Sequence, residues 1–151
     1  MSGEVNISGR RLQITRVFDA PRPMVFDWWT RPENMQQWSG CKEAVNCEVQ
    51  MDFRAGGGFT QKMQIGDKCE FTITGFYEEI VAPERIVYRA NLGPMPTRVT
   101  VEFFEEQSKT RLVLTHEGLA DDTSVRYVAQ GTTESFEKLH SLLSAAMGAG
   151  A

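Results

Sequence analysis

The chain is poor in the residues from which metal, redox and nucleic-acid sites are built. It has two histidines, His116 and His140, and three cysteines, Cys41, Cys47 and Cys69. An odd number of thiols at no metal-ligand spacing, with no histidine near them in sequence, argues against a structural zinc site. Buried, reduced and unbridged cysteines are the expectation. Lys and Arg total 16 against 20 Asp and Glu, a net charge of -4. That balance lacks the basic stripe that neutralises phosphates, so no nucleic-acid partner is expected. No apolar run approaches the ~20 residues of a membrane-spanning helix. The first nine residues are polar and small, without the apolar core of a secretory signal. A cytoplasmic protein with no membrane partner is expected. Gly56-Gly57-Gly58 lacks the Lys and the Ser or Thr of a phosphate-binding loop. No nucleophile–base pair stands out either, so no catalytic residue, metal or cofactor is assigned.

What is present describes one globular domain over 1–151. The 151 residues are 41% hydrophobic and 24% charged, enough to bury roughly two thirds of the unfolded surface in one core. The most informative stretch is Val17-Phe18-Asp19-Ala20-Pro21-Arg22-Pro23-Met24-Val25-Phe26-Asp27-Trp28-Trp29-Thr30. An alternating strand runs into Ala20-Pro21 and changes at once to helical spacing, with Met24, Val25, Trp28 and Trp29 on one wide apolar face. Asp19 is the expected cap and the prolines suit the first turn. Pro32 opens a second short helix ending near Trp38.

From residue 45 the period is two. Strands are expected over 10–18, 45–53, 59–65, 69–81, 85–92, 99–103 and 112–116, seven in all, forming an antiparallel meander. Val45, Cys47, Val49, Met51 and Phe53 share one face, and Gly75 marks a bulge or sharp bend. Val99, Val101 and Phe103 should face Leu112, Leu114 and His116 across the last hairpin. Residues 121–147 differ: Val125, Val128, Thr132, Phe136, Leu139 and Leu143 recur at three and four, one long amphipathic helix capped by Asp121 or Asp122. One strand, two short helices, many strands and a closing helix make an α+β domain whose sheet wraps a terminal helix.

Particular residues carry a resemblance. Arg16-Val17-Phe18-Asp19-Ala20-Pro21, Val25-Phe26, Trp29-Thr30, Pro32-Glu33 and Trp38 are followed by Phe53-Arg54-Ala55-Gly56-Gly57, Gly75-Phe76-Tyr77, Pro83-Glu84-Arg85-Ile86-Val87-Tyr88 and Thr110-Arg111-Leu112. In this order the chain resembles the START-like (SRPBCC) superfamily, within it the branch named for the activator of the heat-shock-protein-90 ATPase. The resemblance implies a helix-grip fold: a seven-stranded antiparallel sheet curled around the long C-terminal helix, with two short helices after the first strand. It departs at Gly131-Thr132, where the branch usually carries Gly-Trp, and the lost indole enlarges or reshapes the cavity. In the co-chaperone a domain of this type follows another that contributes much of the stimulation, so a chaperone partner is a minor expectation.

Such a sheet leaves a volume that side chains fill or leave open. Its candidate lining is Trp38, Phe59, Met63, Phe71, Ile73, Tyr88, Leu92, Val101, Phe103, Thr132 and Phe136, each of which has the alternative of being plain core. Two polar residues share the inward phase, Arg16 and His116. The helix-grip topology makes the first and last strands neighbours, so the pair either anchors a ligand, with His116 as a proton carrier, or is structural. In the structural case Arg16 pairs with a carboxylate such as Glu117 or Glu102. The leading expectation is a protein that binds a small hydrophobic or aromatic ligand in a cavity under the last helix. The alternatives are an enzyme like the polyketide cyclases and aromatases of this fold, favoured if Arg16 and His116 converge, or an interaction module with an exposed apolar patch.

Overall fold

The computed structural model describes residues 3–39, 44–65, 69–92 and 95–149. Among them, eight strands form one antiparallel sheet: β1 (Gly3–Ser8), β2 (Arg11–Phe18), β3 (Ala44–Met51), β4 (Gly58–Ile65), β5 (Cys69–Val81), β6 (Arg85–Leu92), β7 (Met95–Glu106) and β8 (Lys109–Glu117). Their spatial order is β1-β2-β8-β7-β6-β5-β4-β3. Two short helices, α1 (Arg22–Thr30) and α2 (Pro32–Trp38), carry the chain from β2 to the far edge at β3. The long helix α3 (Asp122–Ala149) lies in the concave face of the sheet. This is the helix-grip fold.

The count is eight strands where seven were expected. The additional one, β1, pairs with β2 from Gly3↔Arg16 to Ser8↔Arg11. Its apolar residues Val5 and Ile7 are about half exposed, so backbone pairing rather than burial holds it at the edge. A strand held in that way leaves only a weak alternation in the sequence.

Local chemistry explains the helix ends. The Ser124 backbone N–H donates to Asp121 Oδ1 at 2.8 Å, and this bond holds the Asp121 carboxyl below its ordinary range. Of the two caps expected, Asp121 is thus the one that caps α3. Asp19 does not cap α1, whose N-cap position is Pro21 without a side-chain bond. The Pro21 carbonyl accepts from the N–H groups of Met24 and Val25, and the fixed φ of proline sets the first turn unaided. In α1 the buried residues are Val25, Phe26 and Trp29, while Met24 and Trp28 are only partly covered. Phe26 turns inward because it meets two rings edge-on, Phe103 at 5.3 Å and Phe53 at 6.1 Å.

The sheet follows the expected phase at its centre and departs from it at two places. Val99↔His116, Val101↔Leu114 and Phe103↔Leu112 are paired as expected. In β3 the pairing with β4 shifts register between Val45 and Glu48, an irregularity that the even alternation from Val45 to Phe53 does not show. Gly75 is not a bulge. It stays in register opposite Ala90, and the shift in β5 falls between Tyr77 and Glu79. Its lack of a side chain serves packing, because a Cβ there would run into the Arg89 carbonyl and the Phe59 ring.

An aromatic cluster fills one end of the space between sheet and helix. Phe136 from α3 meets Phe18 at 5.8 Å and Trp29 at 5.7 Å, and Trp29 meets Phe103 at 5.9 Å and Trp38 at 4.5 Å. Rings at such spacings add favourable edge-to-face contacts to the burial of large apolar areas. At the other end the filling stops.

Candidate functional site

A cavity of about 380 Å3 lies beyond that cluster, between α3 and the concave face of the sheet. Its origin is steric. Where α3 crosses the middle strands it presents Val128, Gly131, Thr132 and Ser135, and the sheet opposite offers Ala90, Val99 and Leu114. These small and medium residues do not reach across the gap. Trp29, Trp38 and Phe136 close the deep end, Phe59, Met63, Ile73, Tyr88 and Leu92 form one wall, and Tyr127 and Gln130 stand at the exposed rim.

Of the residues expected to line this space, Trp38, Phe59, Met63, Ile73, Tyr88, Leu92, His116, Thr132 and Phe136 do so. Phe103 and Val101 do not line it. Phe103 pairs with Leu112, further along the hairpin, and is absorbed by the aromatic cluster. The side chain of Phe71 lies outside the described residues, as do those of Cys41, Cys47 and Cys69. The cavity is also lined by residues outside that expectation, among them Trp29, Met35, Gln61, Val99, Leu114 and Val128, although helical spacing had placed Val128 on the inward stripe.

Arg16 is displaced from the site. The first long strand and the last are neighbours as expected, but Arg16 stands opposite Leu112 whereas His116 stands opposite Leu12. Four residues along a strand are roughly 13 Å, so the two do not converge. Arg16 is only 6% exposed. Its Nη1 donates to Glu137 of α3 at 2.8 Å, so the carboxylate is neither Glu117 nor Glu102. The guanidinium also lies 5.8 Å from the Phe18 ring centre. Its role is to tie β2 to α3.

His116 is held differently. It is 6% exposed, and its Nε2 lies 2.7 Å from Thr97 Oγ1. The Thr97 hydroxyl donates to the Ala90 carbonyl at 2.7 Å, linking β8, β7 and β6 in one buried chain. Burial lowers the imidazole to about 4, so the ring is neutral at physiological pH. Burial also pushes Tyr88 and Tyr77 well above the ordinary phenol range, so both hydroxyls keep their protons. Glu134, at the mouth, is the single charged residue among the described residues of the lining, and it accepts a bond from Gln130 Nε2 at 3.3 Å. Inside its mouth the cavity is therefore uncharged, with walls that are mainly apolar.

Among the described residues no group of three His, Cys, Asp or Glu side chains is placed to hold a metal ion. No helix of the described residues is long and apolar enough to cross a membrane.

An antiparallel sheet gripping a C-terminal helix, with a cavity between them, defines the START-like class of domains. Within that class, residues 19–144 match the profile of the family described as Activator of Hsp90 ATPase homolog 1-like protein, and the chain belongs to that family. Among solved structures it is similar to protein CV1439 from Chromobacterium violaceum, with 23% identity and a TM-score of 0.83 over 89% of this chain and 96% of that one. It is also similar to a protein from Rhizobium leguminosarum, with 28% identity and a TM-score of 0.74 over 95% and 99% of the two chains. CalU16 from Micromonospora echinospora shares 19% identity and a TM-score of 0.73 over 97% and 89%. No protein of curated function matches the sequence.

Proposed function

We propose that this protein binds a small, uncharged, hydrophobic or aromatic molecule in the cavity under α3. The observation that carries the reading is the cavity itself, about 380 Å3 bounded mainly by aromatic and aliphatic side chains. That volume falls in the range of small-molecule sites, which combine apolar walls with a few polar anchors. An enzymatic role of the cyclase kind was to be favoured by convergence of Arg16 and His116, and the roughly 13 Å between their positions along the sheet removes that support.

The test is a thermal-shift titration with 2-methoxynaphthalene, a neutral aromatic probe, on wild type and on Thr132→Trp. A ligand that binds the folded state alone stabilises it by about 2.7 kcal/mol at a hundredfold excess over Kd. Wild type should show a rising Tm, and the variant, with an indole projecting into the cavity, a much smaller one. No shift in wild type, or equal shifts in both, refutes the reading.

A further inference from the structure

We infer that the cavity selects ligands carrying a hydrogen-bond donor, a neutral hydroxyl such as a phenol or alcohol, and that the acceptor awaiting it is Nδ1 of His116. This deepens the reading proposed above and rests on it. The argument is one of proton accounting. A hydroxyl has a single proton to donate. Thr97 directs its own to the Ala90 carbonyl at 2.7 Å. Toward His116 Nε2, also at 2.7 Å, the same hydroxyl can only accept, so the imidazole proton must sit on Nε2. A neutral ring with its proton on Nε2 carries a bare lone pair on Nδ1.

His116 lines the cavity, and the one side-chain hydrogen bond its ring makes among the described residues is that of Nε2 with Thr97. The cavity therefore holds a preset acceptor that stays neutral, because deep burial also disfavours the imidazolium. A ligand hydroxyl satisfies it. An ether of the same size has no proton to offer that lone pair and leaves it unsatisfied. A carboxylate meets no lysine or arginine among the described lining residues, only Glu134 at the mouth, and loses its hydration without compensation.

Three probes of one ring system separate these cases: 2-naphthol, 2-methoxynaphthalene and 2-naphthoate, titrated calorimetrically at pH 7.5. On wild type, 2-naphthol should bind about 3- to 10-fold tighter than 2-methoxynaphthalene, the worth of one neutral hydrogen bond, and 2-naphthoate weakest of all. In His116→Leu the preference for the hydroxyl should vanish while 2-methoxynaphthalene still binds. Thr97→Val frees the ring tautomer and should reduce the preference without removing the site. Nitrogen-15 spectra of the wild-type imidazole read the tautomer independently of any ligand, and of folding in a variant. Equal affinity for naphthol and its methyl ether, tighter binding of naphthoate, or a proton found on Nδ1 overturns this inference alone. Failure of all three probes to bind would overturn the cavity reading beneath it as well.

Discussion

The buried His116 should make this protein lose stability in a defined window of mild acid. An unfolded histidine takes up its proton near pH 6.5, whereas the folded one is lowered to about 4 by burial. Above 6.5 neither state is protonated at this site and its contribution is complete. Between 6.5 and about 4 only the unfolded state binds the proton, so stability falls as pH falls. Below about 4 both states are protonated and the loss is finished. Each pH unit in that window is worth about 1.4 kcal/mol, so on the order of 3 kcal/mol is lost across it. That is a large part of the 5–15 kcal/mol typical of a domain. The assay is urea denaturation at half-unit intervals from pH 8 to pH 4, on wild type and His116→Gln. Glutamine keeps an N–H for Thr97 but does not titrate, while the carboxylates that also titrate toward pH 4 are common to both proteins. The difference between the two curves isolates the histidine. It should slope across the window and be level above it. Parallel curves would refute the buried neutral imidazole, and with it the accounting of protons at Thr97.

Three further outcomes follow from named contacts. Thr132→Trp should fill empty space rather than strain the core, raising Tm by about 2–4 °C for each kcal/mol gained; a lowered Tm in a thermal melt would mean the space is not available to an indole. Arg16 and Glu137 should respond unequally, because the arginine side chain is 8% exposed and its partner 60%. Arg16→Met returns Glu137 to water at about 1 kcal/mol or less, and Glu137→Leu strands a buried guanidinium at roughly 3 kcal/mol or more; equal losses in denaturant titrations would refute the asymmetry, and neither change should alter binding of 2-methoxynaphthalene. Gly75→Ala should cost about 1–3 kcal/mol or more by overpacking, since the new methyl meets the backbone carbonyl of Arg89 as well as the movable Phe59 ring; an unchanged denaturation midpoint would show that the strands can part.

Much of this architecture is legible in the order of residues, because burial imposes periodicity. The change from period two to helical spacing at Ala20-Pro21, the in-phase pairs Val99↔His116 and Phe103↔Leu112, and the stripe from Val125 to Leu143 all arise from one-sided burial, a local property of strand and helix. Asp121 was readable as a cap because an N-cap bond joins residues three apart. Inward parity likewise found one wall of the cavity, from Phe59 and Met63 through Ile73 to Tyr88 and Leu92. Parity alone does not say how far along a strand the core ends and the void begins. Phe103 and Phe59 share an alternating pattern, yet one is enclosed by rings of α1 and the other borders the cavity. Strand β1 left little trace because its pairing is made by backbone groups that every residue carries. The assignment of Arg16 and His116 required distances between elements remote in sequence. Arg16 meets Glu137 across 121 positions of chain, and the direction of the proton at His116 depends on Thr97 and Ala90 on two other strands. A sequence determines which faces are apolar, because that is a matter of local spacing. Which polar groups meet on those faces is decided by strand register and helix placement, and these exist only once the chain has closed around its core.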